Sequence, residues 1–295
     1  MTNNLPSQEP VLSVEDLEHF ETQGYVKVAD AVSAEQVSAA AKAIWQFLGM
    51  DPNDPDDWYR PPHSPDGMVD IHQHQALWDN RQSPRIYRAF CQLWKNEKLW
   101  VSLDRASMKP PVNPKYPAWK WPPFLHWDVD LKETPIKFGI QGVLCLSDTA
   151  VDQGGFHCIP GMHHETIEWS RMPLEQRDIN APPPFDSRKV HSIEAKAGDF
   201  IIWHRALPHG SGVNNTNRPR LAQYILCTPA GYEIAEQHST EDPKAEMYET
   251  LRRQRIAQWE RRIGSANLCL DPREAGAPAY LTPLGRKLLG LDLWE

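Results

Sequence analysis

Cysteine is scarce and unpatterned in this chain. Five occur among 295 residues (Cys91, Cys145, Cys158, Cys227 and Cys269), an odd number with no CxxC pair. That argues against a disulfide framework and a cysteine-based zinc site, and for reduced thiols in a cytoplasmic protein. Long apolar runs are missing as well: nothing approaches the roughly 18–20 residues that a membrane span requires. The opening stretch MTNNLPSQEPVLSVEDLE has neither a basic nor an apolar segment, so no secretory signal is expected. An excess of positive charge is also absent. The 31 basic and 39 acidic residues give a formal net charge of −8, and the clusters RKVH and LRRQR are short and interrupted. Nucleic acid and anionic membranes are therefore poor partners. A small-molecule partner is expected, with the oligomeric state left open.

Tryptophan (12) and proline (27) are plentiful. The prolines cluster at Pro61-Pro62, Pro110-Pro111, Pro122-Pro123 and Pro182-Pro183-Pro184, which marks stiffened loops between elements. Length and composition suit a single domain over 1–295 with a sizeable core. Residues 1–12 read as disordered. Helices are expected in 13–95: one from the capping box SVED to Gly24, one from Ser33-Ala-Glu-Gln to about Leu48, and one opening at Ser83-Pro with Ile86, Phe90 and Leu93 at helical spacing. Tyr25-Val-Lys-Val-Ala reads as a short strand between the first two. From about 98 to 229 the pattern is of short β-branched or aromatic strands: LWVSLDRASM, KFGIQGVLCLSD, GGFHCIP, KVHSIEA, GDFIIWH and RLAQYILCTP. No helical crossover of adequate length separates them, so packed antiparallel sheets of jelly-roll, cupin-like type fit better than a parallel sheet. Residues 230–295 form a C-terminal helical extension with a long charged helix, KAEMYETLRRQRIAQWERRIG, and a short one near LTPLGRKLLGLDLW.

Chemistry concentrates in two places. His126 and Asp128 are two residues apart in FLHWDVDL, and His209 lies far downstream in WHRALPHGSGV. On a strand, residues i and i+2 share a face, so His126 and Asp128 can hold one ion while Trp127 points away. An H-x-D pair alone is common and is ordinarily a surface or core pair. With His209 added, two imidazoles and one carboxylate make the facial donor set of a non-haem Fe(II) site with open positions. Arg220 follows His209 by eleven residues. A two-residue hairpin turning at Asn214-Asn215 would set His209 opposite Arg220 and Ser211 opposite Arg218, all four on one face. A guanidinium there suits a carboxylate-bearing co-substrate, with the Ser211 hydroxyl beside it. Pro219 limits which backbone positions can pair in that hairpin.

These motifs resemble the phytanoyl-CoA dioxygenase family of Fe(II)/2-oxoglutarate oxygenases. The likeness covers roughly residues 14–230. It rests on HxD, on HGSG followed by the distant arginine, on the DQGGFHCIPGMHH turn, and on the opening helix–Gly-Tyr-Val–helix. The resemblance implies a double-stranded β-helix. It also implies Fe(II) held by His126, Asp128 and His209, 2-oxoglutarate bound by Arg220 and Ser211, and O2 as the oxidant. The chain departs from the family at Met162-His163, where Ser or Thr usually precedes the histidine. Some relatives replace the aspartate and halogenate; Asp128 is kept here, which favours hydroxylation or a related C–H oxidation over halogenation.

Lys109, Lys115 and Lys120 lie in the proline-rich approach to His126, and Gln141 lies in the next strand. Lys115 and Gln141 are assigned to the co-substrate. Trp119, Trp121 and Trp127 are pocket-wall candidates, and His157, His163 and His164 read as structural or pocket-rim. Two other functions remain open on these residues: a cupin-like metal enzyme of another reaction class, and a non-catalytic sensor on the same fold.

Overall fold

The computed structural model describes residues 10–120, 125–178, 186, 189–232, 245–264 and 271–295. Serine caps open the early helices as the sequence requires. In α1 (Val14–Gln23) Ser13 and Asp16 cap each other's backbone N–H, and Gly24 closes the helix in the left-handed conformation. In α2 (Ala34–Leu48) Ser33 and Gln36 do the same, and Gly49 ends it. A short α3 (Gln75–Arg81), unmarked by the apolar pattern, precedes α4 (Pro84–Trp94), which starts on Ser83 and Pro84 and buries Ile86 and Phe90. Val11 and Leu12 are ordered, contrary to expectation. Both backbone N–H groups donate to Gln92 Oε1 at 2.9 Å, and the Leu12 side chain is buried. Residues 1–9 lie outside the described residues.

The strands are β1 (Tyr25–Val28), β2 (Met68–Val69), β3 (Leu99–Val101), β4 (Ala106–Lys109), β5 (Ile140–Cys145), β6 (Phe156–Cys158), β7 (His191–Ser192), β8 (Phe200–His204), β9 (His209–Ser211), β10 (Arg220–Tyr224) and β11 (Cys227–Pro229). A six-stranded antiparallel sheet runs β1-β8-β5-β10-β4-β2, a three-stranded one runs β7-β6-β9, and β11 pairs with β3. Residues from both larger sheets (Val143, Cys145, Ile201, Trp203 and Ala222 from one, Phe156 and Cys158 from the other) form one buried cluster between them. A larger cluster on the opposite face of the six-stranded sheet joins it to α1, α2 and α4.

Three expectations change. The six-stranded sheet takes both of its edges from residues before 98, since β1 pairs with β8 and β2 with β4. The stretch LWVSLDRASM is two strands in different sheets, and so is RLAQYILCTP. A nine-residue α5 (Met162–Ser170) follows Gly161 where only a turn was read. The C-terminal residues are also woven into the body. Glu274 is buried and accepts from the backbone N–H of His72 (2.8 Å) and Gln73 (2.6 Å). Arg255, in the helix Ala245–Glu260, donates to the carbonyls of Val101, Leu288 and Leu289. Among the described residues, no helix is long and apolar enough to cross a membrane.

Candidate metal centre and its cavity

His126, Asp128 and His209 come together although 81 residues separate the last two. A single antiparallel bridge pairs His126 with His209, each backbone N–H donating to the other's carbonyl (2.9 and 3.1 Å). That pairing attaches the HxD segment to the edge of the three-stranded sheet beyond β9. Asp128 sits in the bend that follows, off the strand. His126 Nε2 is 3.5 Å from Asp128 Oδ1, and His209 Nε2 is 3.4 Å from Asp128 Oδ2. One donor atom from each residue falls within 4.8 Å of the others. Ligands bound to one ion at about 2.0–2.2 Å lie roughly 3–3.5 Å apart, so the donor spacing fits a shared cation. Trp127 does turn away, its Nε1 donating to Thr166 Oγ1 at 3.1 Å on α5.

Protonation states favour the same use. The Nδ1 of buried His209 lies 2.9 Å from the Leu207 carbonyl. Donation to that carbonyl puts the proton on Nδ1 and leaves Nε2 as the lone-pair donor facing Asp128. Burial and the neighbouring His209 push the His126 pKa down, so its ring is neutral at neutral pH. For Asp128, burial alone would raise the pKa. The hydrogen bond and charge that His209 supplies when its ring is protonated, the Gln141 amide and the charge of protonated His126 outweigh it and hold the carboxyl at about 2. Two neutral imidazoles and one carboxylate are the forms that bind a metal.

The centre opens onto a cavity of about 460 Å³ between the two sheets, lined by His126, Asp128, His209, Ser211 and Arg220 among others. Arg220 and Lys109 are direct partners across β10 and β4. Both are buried. Arg220 Nε donates to the Gly154 carbonyl (3.1 Å), and Lys109 Nζ donates to Ser211 Oγ and the Gly212 carbonyl (both 2.8 Å). Neither cation has an acidic partner among the described residues. Burial, and then the charge of Arg220, lower the Lys109 pKa to about 7. The turn before β6 makes this possible: Gly154 takes φ +72° and aims its carbonyl at Arg220, and a Cβ on Gly155 would stand 2.5 Å from Thr149 Cγ2. At the other end, β10 continues through Ala222 and Tyr224 toward a half-exposed rim with Asp66, Asp104 and Arg105. Arg105 is paired with Asp70 at 2.8 Å.

The structure rearranges several assignments. The hairpin joining His209 to Arg220 does not form. β9 pairs with β6 and β10 with β4 and β5, so the two residues reach one cavity from different sheets. Asn214 closes the intervening loop instead, donating to the Lys109 and Arg218 carbonyls and accepting from Thr216. Arg218 is exposed and outside the cavity lining. Lys115 lies outside the cavity lining, where its exposed ammonium pairs with Asp56 at 2.9 Å, whereas Lys109 is buried. Gln141 lines the cavity but its amide is bonded to Asp128 (2.8 Å). Trp119 packs on Tyr59 and His63. Trp121 lies outside the described residues. His163 and His164 both contact the Glu21 carbonyl, away from the donor cluster.

The family model described as phytanoyl-CoA dioxygenase matches residues 20–222. A candidate phytanoyl-CoA dioxygenase of Dictyostelium discoideum is 26% identical over 265 residues, covering 72% of this chain and 74% of that one. The GlcNAc Inducible Gene 2 product of Candida albicans superposes with a TM-score of 0.69 at 15% identity, over 98% of this chain and 78% of that one. HygX of Streptomyces hygroscopicus, solved with nickel and 2-oxoglutarate bound, superposes at 0.53 and 16% identity, over 74% of this chain and 87% of that one.

Proposed function

The chain belongs to the phytanoyl-CoA dioxygenase family, and from that premise we propose that it is an Fe(II)- and 2-oxoglutarate-dependent dioxygenase that hydroxylates an aliphatic C–H bond of a small-molecule metabolite. The observation that carries this reading is a single cavity with the His126–Asp128–His209 cluster and the buried Arg220 in its wall, and a second buried cation, Lys109, behind that wall on Ser211 and beside Arg220. Bound by the cluster, Fe(II) supplies the activation of O2, with R–H, 2-oxoglutarate and O2 going to R–OH, succinate and CO2. His126, Asp128 and His209 are the ligands in this reading. Arg220, with Ser211 and Lys109 beside it, holds the far carboxylate of 2-oxoglutarate by charge-assisted hydrogen bonds in a site with little competing water. The two-sheet body is accordingly taken as a double-stranded β-helix, and the protein as cytoplasmic.

The rim speaks to the substrate. Asp66 and Asp104 face the opening, and Asp70 neutralises Arg105. A polyphosphate-bearing acyl-CoA would meet net negative charge there, so a smaller neutral or cationic metabolite fits better. Apolar side chains of Val143, Ile201, Tyr224 and Leu226 between rim and metal suit an aliphatic body.

Anaerobic addition of Fe(II) and then 2-oxoglutarate tests the reading. A visible charge-transfer band is expected from the wild type and none from His126→Ala. Absence of the band in the wild type sinks the assignment. A metabolite screen for stimulated succinate release then identifies the substrate class, and preferential stimulation by CoA thioesters would overturn the argument from the rim.

A further inference from the structure

Gln141 on β5 ties Asp128 to Trp203 on β8. Trp203 Nε1 donates to Gln141 Oε1 at 3.0 Å, and Gln141 Nε2 donates to Asp128 Oδ2 at 2.8 Å. An indole N–H can only donate, so the amide has one usable orientation: oxygen toward Trp203, NH2 toward the carboxylate. Gln141 and Trp203 are also direct cross-strand partners. Trp203 is buried, with its ring 4.7 Å from Phe156 and 5.0 Å from His209 between centroids. The relay therefore starts on a strand paired on both sides, with β1 and with β5. It ends on a residue that lacks such support, since Asp128 lies in a bend and its side chain is 42% exposed.

We propose that Gln141, oriented by Trp203, is a positioning residue that holds the Asp128 carboxylate toward the two histidines and engages one of its oxygens. The inference rests on the reading of the cluster as a metal site. Its physical content has two parts. The bond removes rotational freedom from a half-exposed carboxylate before any ion arrives, so less ordering remains to be done on binding. It also occupies a lone pair on Oδ2, which disfavours chelation through both oxygens and helps keep coordination positions open for a co-substrate. The same bond commits the Gln141 NH2 group to the protein rather than to 2-oxoglutarate.

Mn(II) affinity of the full chain, measured by calorimetry without co-substrate, tests the relay apart from turnover. Gln141→Leu removes both bonds. Gln141→Met keeps the length and the packing but can neither accept from Trp203 nor donate to Asp128. Trp203→Phe frees the amide to turn. Loss of an outer partner of a metal ligand typically costs about 10–100-fold in affinity. That loss is expected for both Gln141 variants, with a smaller one for Trp203→Phe. The ligand-field absorption of the Co(II)-loaded protein should shift in all three, which a merely structural role would not produce. Unfolding midpoints of the metal-free variants identify any that fail to fold, and Gln141→Met, uncharged and closest in shape, then decides. Affinities within twofold of wild type and an unchanged Co(II) spectrum overturn the relay while leaving the metal site standing. Mn(II) binding that survives His126→Ala unchanged overturns the metal site and the relay with it.

Discussion

Lys109 and Arg220 face each other across β4 and β10, both buried and neither with an acidic partner among the described residues. Two cations side by side in a low-dielectric place repel each other and are costly to keep charged. The protein relieves part of this by lowering the Lys109 pKa to about 7. A dianion bound between them would relieve the rest, which supports the proposal that the pair receives a carboxylate.

Binding of 2-oxoglutarate should therefore be coupled to proton uptake. At pH 8 the free protein holds Lys109 mostly neutral, and an arriving carboxylate restores its charge. Calorimetry in buffers of different ionisation enthalpy should show uptake approaching one proton at pH 8 and little at pH 6. Lys109→Met should abolish the difference and weaken binding roughly 10–100-fold, the worth of one charged hydrogen bond. The stability of the unliganded protein carries the opposite signature. The folded pKa lies below the ordinary 10.5, so the unfolded chain holds the extra proton between about pH 7 and 10.5. Stability from this group rises with pH across that window and is flat below it.

The donor set was legible because its information is local. H-x-D fixes residue types at a fixed spacing, and HGSG with a distant arginine marks a second strand region. The serine caps of α1, α2 and α4 were legible for the same reason. What failed depends on contacts between distant segments. Asn214-Asn215 looks like a hairpin turn, yet the Asn214 side chain reaches the carbonyl of Lys109, 105 residues away, and the chain crosses to the other sheet. Lys109 ends a four-residue strand that is buried throughout. A sequence reading that treats lysine as a surface residue prefers Lys115, which is indeed on the surface. Gln141 stood out in the sequence as a co-substrate residue, but its bonds to Asp128 and Trp203 exist only once β5 and β8 align.

Acid should destabilise the fold through two buried histidines near α5. Burial and neighbouring histidines lower the pKa of His163 to about 4 and that of His204 to about 3. Both lie below the ordinary value of 6.5, so from pH 6.5 down toward 3–4 the unfolded chain binds protons that the folded one refuses. Stability is complete above pH 6.5 and falls as pH drops, by at most ~1.4 kcal/mol per pH unit for each group. Urea midpoints at pH 7 and pH 5 should differ accordingly. His204→Asn should flatten the slope by about one proton, and an unchanged slope would show that His204 does not titrate as described.

The C-terminal residues should prove essential to folding. Glu274 is buried, and its two oxygens cap the backbone N–H groups of His72 and Gln73 just before α3. Glu274→Ala strips two buried donors of a charged acceptor, each bond being worth about 1.5–3 kcal/mol. A loss of roughly 3–5 kcal/mol in chemical denaturation is expected, with a single cooperative transition. Two separate transitions would instead mark the C-terminal helices as an independent unit.

Gly154→Ala should damage co-substrate binding more than it damages the fold. The residue sits at φ +72°, where an L side chain costs about 1–2 kcal/mol. Its new Cβ would stand 3.0 Å from Lys109 Cδ and 3.2 Å from the Asn214 backbone nitrogen. Relief requires the turn to move, and the moving group is the carbonyl that anchors Arg220 Nε at 3.1 Å. Both buried cations are thus displaced by one methyl group placed outside the donor cluster. The 2-oxoglutarate dissociation constant should rise at least tenfold, while Mn(II) affinity measured without co-substrate stays near wild type, since the new Cβ presses on Lys109 and Asn214. Equal losses in both would show that the turn supports the whole centre rather than its anion-binding end.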